Sequence, residues 1–322
     1  MSWVVALALT AFALPVLAAR ALGGRPPNPC PMLAALAPVA TLPAVAGLVI
    51  AATATSRLTV LLAFPAVTLV AWQMPPLSRI RHSAAPQPIS VFDRQGALCL
   101  RVLSLNVQAG SVDPAIVLRN LERYNVNVLA LQELSQETVH RLANAGVTDL
   151  LPFCHLDPRP GSAGTGLWAR WPLVPLSPVP DLIAAAPRAR IDLPDGRTLT
   201  LTAVHPVAPV SGQDRRWKEE LMLIQSTLAE TDGPQVMAGD FNASRDHRPF
   251  RNLLAAGFLD CADVAQKRSW PGFTWPVGHA FPPVMRLDHV LVSRAGATVR
   301  ESRIVRVPGS DHRGVLAVVE LQ

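Results

Sequence analysis

The stretch Gly239-Asp240-Phe241-Asn242 follows the apolar run Gln235-Val236-Met237-Ala238. The run predicts a buried strand, so the aspartate and the asparagine stand two residues apart where that strand opens into a loop. A carboxylate and an amide in this position can point into one cleft. An ordinary turn is the alternative, because Asp, Asn and Gly are common turn formers. Other parts of the chain decide between the two interpretations.

Residues 98–322 alternate between strand-like and helical segments. Two helix starts carry capping signals, namely Asp113 before Pro114, and Ser135. The predicted strands are residues 98–106, 126–132, 198–204, 235–238, 287–293 and 314–321, and the predicted helices are residues 114–124, 136–146, 214–231 and 246–256. This alternation predicts a domain built of α/β layers.

Polar side chains recur at the ends of the predicted strands and in the loops beside them. They are Asn106, Glu133, His205, Asp240, Asn242, Asp288, Asp311 and His312. Active sites of α/β folds gather at such places. Taken singly, each has an ordinary explanation: Glu133 as a solvated loop residue, His205 as a hydrogen-bonded histidine, and Asp311-His312 as part of a surface turn.

The charges are distributed unevenly along the chain. Residues 1–90 contain five arginines and no acid, so they carry +5 of the total net charge of +6. The remainder is close to neutral, which disfavours a dedicated DNA-binding domain, although a local basic groove remains an alternative. The four cysteines show no CxxC pair and no spacing typical of metal ligands.

The N-terminal part predicts a membrane region. Residues 2–19, 31–55 and 58–74 are three apolar stretches, each long enough to cross a bilayer. A cleaved signal peptide is the alternative for the first stretch, but it lacks a basic start. We therefore expect a membrane region at 1–80 with three transmembrane helices, a linker at 81–97 and a catalytic domain at 98–322. The positive-inside rule, by a margin of one charge, places that domain in the cytoplasm.

Six segments resemble the endonuclease/exonuclease/phosphatase superfamily and occur in family order. They are Ser104-Leu105-Asn106-Val107, Leu131-Gln132-Glu133, Val204-His205-Pro206, Gly239-Asp240-Phe241-Asn242, Arg286-Leu287-Asp288-His289 and Ser310-Asp311-His312. The resemblance implies a DNase I-like fold, a four-layered α/β sandwich of two packed mixed β-sheets flanked by helices. It also implies hydrolysis of a phosphoester by water, assisted by a metal ion and without a covalent intermediate.

The resemblance implies a metal site. Glu133 would be the principal Mg²⁺ ligand, Asn106 would lie beside it, and Asp311 would complete the metal or water shell. Carboxylate and amide oxygens suit Mg²⁺ or Mn²⁺ better than Zn²⁺.

The resemblance also implies catalytic roles for five residues. Asp240 would orient or deprotonate the attacking water, and Asn242 would donate hydrogen bonds to the phosphoryl oxygens. His205 would neutralise the phosphate or assist the leaving group. Asp288 would hold the imidazole of His312 against the scissile phosphate.

The whole chain is similar to the VanJ-type membrane proteins of actinomycetes, which are associated with teicoplanin resistance. The similarity rests on the three apolar stretches, the linker and the segments Asn125–Leu134, Gly166–Arg170 and Gly239–Ala243. It implies a catalytic domain outside the cytoplasmic membrane. This disagrees with the positive-inside rule, which favours the cytoplasm by a margin of one charge, and we adopt the outside orientation as the prediction. The predicted partners are the membrane and a phosphate-containing, lipid-linked substrate of the cell wall.

Two other functions remain open at this stage. One is a membrane-tethered nuclease, which the near-neutral domain disfavours, as does the lack of any tyrosine besides Tyr124 for an active site of the abasic-endonuclease type. The other is a non-catalytic protein that binds a cell-wall precursor or an antibiotic. Arg188, Arg190 and Arg286 are candidates for a second phosphate or a lipid head group, with solvated arginine as the alternative for the first two.

Overall fold

The computed structural model describes residues 98–321 except 211, 266, 269–271, 281 and 295–296, together with scattered positions between residues 15 and 50. The predicted span at 58–74 and the predicted linker at 81–97 lie outside these residues, and the predicted spans at 2–19 and 31–55 are described only in part. A short helix, α1 (Pro31–Ala35), is described in the N-terminal part. No helix within the described part of the chain has the length and apolar character needed to cross a membrane.

Strands and helices alternate through the rest of the described chain. The strands are β1 (Cys99–Asn106), β2 (Val128–Gln132), β3 (Phe153–Asp157), β4 (Thr165–Ala169), β5 (Leu173–Leu176), β6 (Arg188–Asp192), β7 (Thr198–Val204), β8 (Gln235–Asp240), β9 (Phe258–Asp260), β10 (Lys267–Arg268), β11 (Asp288–Ser293), β12 (Ala297–Val305) and β13 (Gly314–Leu321). The helices that follow α1 are α2 (Pro114–Tyr124), α3 (Gln136–Asn144), α4 (Val147–Leu150), α5 (Asp214–Ala229), α6 (Arg248–Ala255) and α7 (Cys261–Val264).

The strands of the described residues form two mixed sheets. One sheet has the order β10-β12-β13-β1-β2-β4-β3, and the other has the order β5-β6-β7-β8-β11-β9. Parallel pairing joins β1 with β2, β7 with β8, and β10 with β12. The expected architecture of two packed mixed sheets with flanking helices is therefore confirmed.

Alternating side chains of the central strands build the layers. In β1, Val102 belongs to the core between the two sheets, whereas Leu103 packs under α2 and α3. In β8, Val236 belongs to the same inter-sheet core, whereas Met237 packs with α5 and α6. Because both faces of these strands are buried, they read as continuous apolar runs in the sequence.

Both predicted helix caps are confirmed. The Asp113 side chain accepts a hydrogen bond from the Ala115 amide at 2.9 Å, and Ser135 Oγ accepts one from the Thr138 amide at 3.1 Å. The sequence prediction missed β3, β4, β5, β6, β9, β10 and β12. Strands β3 and β5 are partly exposed edge strands without a regular polar–apolar alternation, so their pattern carried no clear signal.

Strand pairing brings three polar side chains together at one end of the central strands of the second sheet. The register of β8 with β11 places Asp240 opposite Asp288. Strand β7 pairs with β8 so that Val204 lies beside Gly239, and a Cβ at Gly239 would lie 2.0 Å from the Val204 carbonyl oxygen. Glycine is therefore required at this close approach, which brings His205 next to Asp240.

Candidate active site

Asp240 lies at the centre of the polar cluster and is only 1% exposed. Its Oδ2 accepts a hydrogen bond from Asn106 Nδ2 at 3.1 Å. The same oxygen lies 3.5 Å from His312 Nε2 and 3.6 Å from His205 Nε2. Its Oδ1 accepts a hydrogen bond from the Asn242 amide at 2.9 Å. Asp240 therefore contacts four other residues that the sequence predicted for the site.

His312 is buried between two carboxylates. Its Nδ1 lies 2.9 Å from Asp288 Oδ2, and its Nε2 faces Asp240. Burial disfavours the charged ring, but the attraction of Asp288 and then of Asp240 outweighs it and raises the pKa of His312 to about 10. Burial also raises the pKa of Asp288, although the charge of His312 opposes this shift. At neutral pH His312 is therefore an imidazolium with two donating nitrogens.

Asp288 has one oxygen without a protein partner. Its Oδ1 is buried and forms no hydrogen bond with any residue that the structure describes. Its backbone amide donates to Thr274 Oγ1 at 3.3 Å, which positions the start of β11. Because buried carboxylate oxygens are normally hydrogen-bonded, this atom marks a place where a bound group can donate a hydrogen bond.

Asn106 and Glu133 form the opposite side of the cluster. Asn106 Nδ2 donates to Glu133 Oε1 at 3.1 Å as well as to Asp240. Glu133 is only partly buried, and its φ of 60° lies in the left-handed region. Gln108 and Asn242, with φ values of 45° and 47°, share this conformation. Non-glycine residues held in this region often occur at functional sites.

Asp311 is joined to the cluster through Gln108. The Asp311 amide donates to Gln108 Oε1 at 2.9 Å, and the Gln108 amide donates to Asn106 Oδ1 at 2.9 Å. The carboxylate of Asp311 accepts a hydrogen bond from Trp275 Nε1 at 3.3 Å. The other seven predicted site residues are linked directly by hydrogen bonds or ion pairs. The structure thus brings the eight side chains together, while their individual roles remain predictions.

His205 and Asn242 are held by backbone carbonyls. His205 Nδ1 donates to the carbonyl of Ser162 at 3.0 Å, which directs Nε2 towards Asp240. Asn242 Nδ2 donates to the carbonyl of Pro206 at 2.9 Å. Both side chains are therefore oriented before a substrate arrives.

The sequence did not indicate several residues that support the site. Ser310 Oγ donates to the carbonyl of Asn106 at 2.8 Å and accepts from the His312 amide at 3.0 Å. Gln108 and Thr274 make the contacts described above. Gln108 and Thr274 are polar loop residues without a distinctive spacing. Ser310 stands in the matched segment Ser310-Asp311-His312 but was given no role there, so only the hydrogen-bond geometry shows what it does.

The arginines proposed as phosphate ligands have protein partners. Arg286 forms an ion pair with Asp263 at 2.9 Å. Arg188 is buried and donates to a backbone carbonyl at 3.2 Å, and Arg190 pairs with Asp192 at 3.0 Å. These contacts favour structural roles for the three side chains.

Two groups of side chains could hold a metal ion, one that includes Asp240 and one that includes Glu133. Asp240, Asp288 and His312 have potential ligand atoms within 4.8 Å of one another. In the metal-free protein the raised pKa of His312 keeps its ring protonated, so a metal ion bound there would have to displace that proton. Glu133 is partly exposed and offers carboxylate oxygens, which are the ligands that a hard divalent cation prefers.

Carboxylates, amides and imidazoles lie together at the strand ends of a two-sheet α/β sandwich, and these are groups suited to hydrolysis. The family model of the endonuclease/exonuclease/phosphatase family matches residues 103–312. The chain belongs to this family.

Solved structures show the same fold at low sequence identity. D. rerio TDP2 complexed with a single-strand DNA product is 20% identical, with a TM-score of 0.57 over 69% of this chain and 99% of that chain. The endonuclease/exonuclease/phosphatase from Beutenbergia cavernae DSM 12333 is 20% identical, with a TM-score of 0.56 over 69% and 72% of the two chains. The human Nocturnin catalytic domain with bound sulfate is 17% identical, with a TM-score of 0.55 over 70% and 95%. A search of curated proteins found no match.

The charge state of His312 can be tested by changing Asp288 to asparagine. In the metal-free protein, we expect the imidazole of His312 to lose its proton as the pH rises through about 10. Asp288→Asn removes the strongest attraction on the ring, so the pKa should fall by at least about one unit. Nuclear magnetic resonance of the histidine ring nitrogens measures this shift. An unchanged titration in the variant would contradict the ion pair.

Proposed function

We propose that the protein is a membrane-anchored, Mg²⁺-dependent phosphoesterase that hydrolyses a phosphate ester or anhydride of a lipid-linked substrate. The observation that carries this proposal is the contact network around Asp240, in which one carboxylate meets Asn106, His205 and His312. Family membership supports the hydrolysis of phosphoester bonds. The lipid-linked substrate and the membrane anchor are inferred from the three apolar stretches of residues 1–80.

Glu133, Asn106 and Asp311 would hold the metal ion. Their donors are oxygens, which favours Mg²⁺ or Mn²⁺. The bound ion would act as a Lewis acid that polarises a phosphoryl oxygen. The partial exposure of Glu133 and Asp311 leaves space for water in the coordination shell.

The other residues would handle the water and the phosphate charge. Asp240 would orient or deprotonate the attacking water, since its carboxylate is buried and faces donors. His312, held as an imidazolium by Asp288, would neutralise the phosphate. His205 would present Nε2 to the phosphate or the leaving group. Asn242 Nδ2 donates one hydrogen to the Pro206 carbonyl and would donate its other hydrogen to the phosphate.

We further infer that the catalytic domain lies outside the cytoplasmic membrane and acts on a cell-wall intermediate such as a polyprenyl pyrophosphate. The similarity to VanJ-type proteins supports this, and a role in teicoplanin resistance would follow from it. Cys154 is exposed, whereas Cys99 and Cys261 are buried. A membrane-impermeant thiol reagent should therefore label Cys154 in intact cells. Labelling only after lysis would place the domain in the cytoplasm.

A phosphate-release screen tests the proposed function. Purified full-length protein should release phosphate from lipid phosphates when Mg²⁺ is present, and chelation of the metal should abolish this activity. The same screen includes phosphoinositides, single-stranded and double-stranded DNA, and RNA. Ready cleavage of DNA without any release from a lipid phosphate would favour the tethered nuclease instead.

A further inference from the structure

A buried carboxylate of the catalytic domain has its ion-pair partner in the N-terminal segment. Asp246 has only 10% of its side chain exposed, and Arg20 Nε lies 2.6 Å from its Oδ1. Within the described residues, no other arginine or lysine lies within ion-pair distance of Asp246. A buried carboxylate without a cation is costly, so Arg20 stabilises the charged form of Asp246. Arg251 adds to this contact by donating to the carbonyl of Arg20 at 3.3 Å.

A second contact holds the same part of the chain against the edge of the active site. Ala35 of α1 is 1% exposed and packs with Met285 and Leu287. Leu287 immediately precedes the catalytic Asp288. Trp275, which packs against this small apolar cluster, also donates to Asp311. The N-terminal segment therefore borders the cleft.

Arginines accumulate around this contact. The charges of Arg20, Arg251, Arg286 and Arg245 all act on Asp246. Arg245 and Arg286 share Asp263, at 3.1 and 2.9 Å. Arg248, at the start of α6, is exposed, and half of the Arg245 side chain is exposed.

We propose that this arginine surface, formed by Arg20, Arg245, Arg248 and Arg251 around Asp246, faces the bilayer and that Arg245 and Arg248 bind the phosphate groups of anionic lipids. The inference rests on the membrane anchoring in the proposed function. The net charge of the domain is close to neutral, and several of its arginines lie where the N-terminal segment meets it. This distribution fits a lipid surface better than an extended nucleic-acid groove.

The arginine surface lies next to the catalytic loop. Arg245 follows Asn242 by three residues, and α6 begins three residues later. Contact of Arg245 and Arg248 with the head groups would hold the cleft at the level of the lipid phosphates. A substrate embedded in the bilayer would then reach Asp240 without leaving the membrane.

The double variant Arg245→Gln/Arg248→Gln tests this surface in the full-length protein. The protein is reconstituted in vesicles of phosphatidylcholine alone and in vesicles that also contain phosphatidylglycerol. In the anionic vesicles, we expect the variant to hydrolyse a lipid phosphate roughly fivefold or more slowly than the wild type. The difference should shrink at high salt. Hydrolysis of a small soluble phosphoester should be unchanged, because neither arginine contacts the site.

The matched control is Arg119→Gln/Arg123→Gln, which removes two exposed arginines from α2 on the outer face of the other sheet. This control should behave like the wild type in both kinds of vesicle. An equal loss in the control, or no loss in the Arg245→Gln/Arg248→Gln variant, would overturn the inference. Loss of oligonucleotide cleavage instead of lipid hydrolysis would assign the surface to nucleic acid and would also overturn it.

Hydrogen exchange separates failure of this inference from failure of the proposed function. Backbone amides of residues 243–252 in the wild type should exchange more slowly in anionic than in neutral vesicles, and this difference should be absent from the Arg245→Gln/Arg248→Gln variant. The measurement requires no enzymatic activity. Equal exchange in both vesicles would reject the lipid contact, whereas absence of phosphate release from any substrate would reject only the phosphoesterase.

Discussion

Changing Asp240 to asparagine is expected to lower kcat for phosphoester hydrolysis by about a thousandfold. The change removes the negative charge that faces His205 and His312 and leaves no base beside the attacking water. It also disturbs the hydrogen bonds of the carboxylate, since Asn106 and the Asn242 amide both donate to it. Steady-state phosphate release at saturating Mg²⁺ measures the effect.

The control for this variant is Asp192→Asn. Asp192 lies on the exposed part of β6 and pairs with Arg190, so its replacement should leave kcat unchanged. Thermal unfolding of both variants shows whether the fold is retained. A folded Asp240→Asn protein with kcat within tenfold of the wild type would refute the assigned role. If Asp240→Asn abolished hydrolysis but left antibiotic resistance intact, the non-catalytic binding function would be favoured.

Changing His289 to alanine is expected to lower the free energy of unfolding by about 3–5 kcal/mol. The His289 ring is fully buried, and its Nδ1 lies 2.8 Å from Asp260 Oδ2. Its Nε2 donates to the carbonyls of Ala243 at 2.9 Å and Arg286 at 3.2 Å. Removal of the ring leaves Asp260 buried without this partner, and it also frees the loop after Asn242 from the start of β11. Denaturant unfolding monitored by tryptophan fluorescence measures the loss.

The matched control removes an exposed ion pair. Arg190→Ala breaks the contact with Asp192, in which both side chains are nearly half exposed, and it should cost less than about 1 kcal/mol. A loss of similar size in His289→Ala would show that the buried pair contributes no more than a surface pair.

The stability difference between the wild type and His289→Ala should also depend on pH. Burial favours the protonated form of Asp260, but His289 and then Arg286 outweigh this effect and hold the pKa of Asp260 below its usual range. A depressed folded-state pKa stabilises the protein above the unfolded-state pKa of about 4. The advantage of the wild type should therefore be complete at neutral pH and shrink as the pH falls below about 4. A constant difference at all pH values would contradict this account.

Local patterns in the sequence were sufficient for much of the fold. Continuous apolar runs predicted the central strands, because strands buried on both faces carry apolar side chains at every position. Asp113 and Ser135 marked helix starts, because a capping side chain must satisfy free amides at that point. The partly exposed strands β3 and β5 were missed, because their stability comes from pairing with neighbours and leaves a weak sequence pattern.

The sequence predicted which residues form the candidate site but not the hydrogen bonds and ion pairs that join them. The resemblance to the family identified eight polar residues by their local motifs. The support from Gln108, Thr274 and Ser310 was not predicted, because it depends on hydrogen bonds between side chains and backbone groups that are far apart in the sequence. The ion pair of Arg286 was likewise not predicted: its position before Asp288 made it a candidate phosphate ligand, and its partner Asp263 lies 23 residues earlier in the chain.

The stretch Gly239-Asp240-Phe241-Asn242 shows where the sequence alone was sufficient and where it was not. By itself the sequence determined that a strand ends there with a carboxylate and an amide, and the other motifs indicated catalysis rather than a turn. Only the tertiary structure decided that Asp240 stands opposite Asp288, between His205 and His312, and that Arg20 reaches Asp246 beside the same loop. The physical reason is that such contacts depend on strand register and on the packing of segments far apart in sequence, which no local pattern specifies.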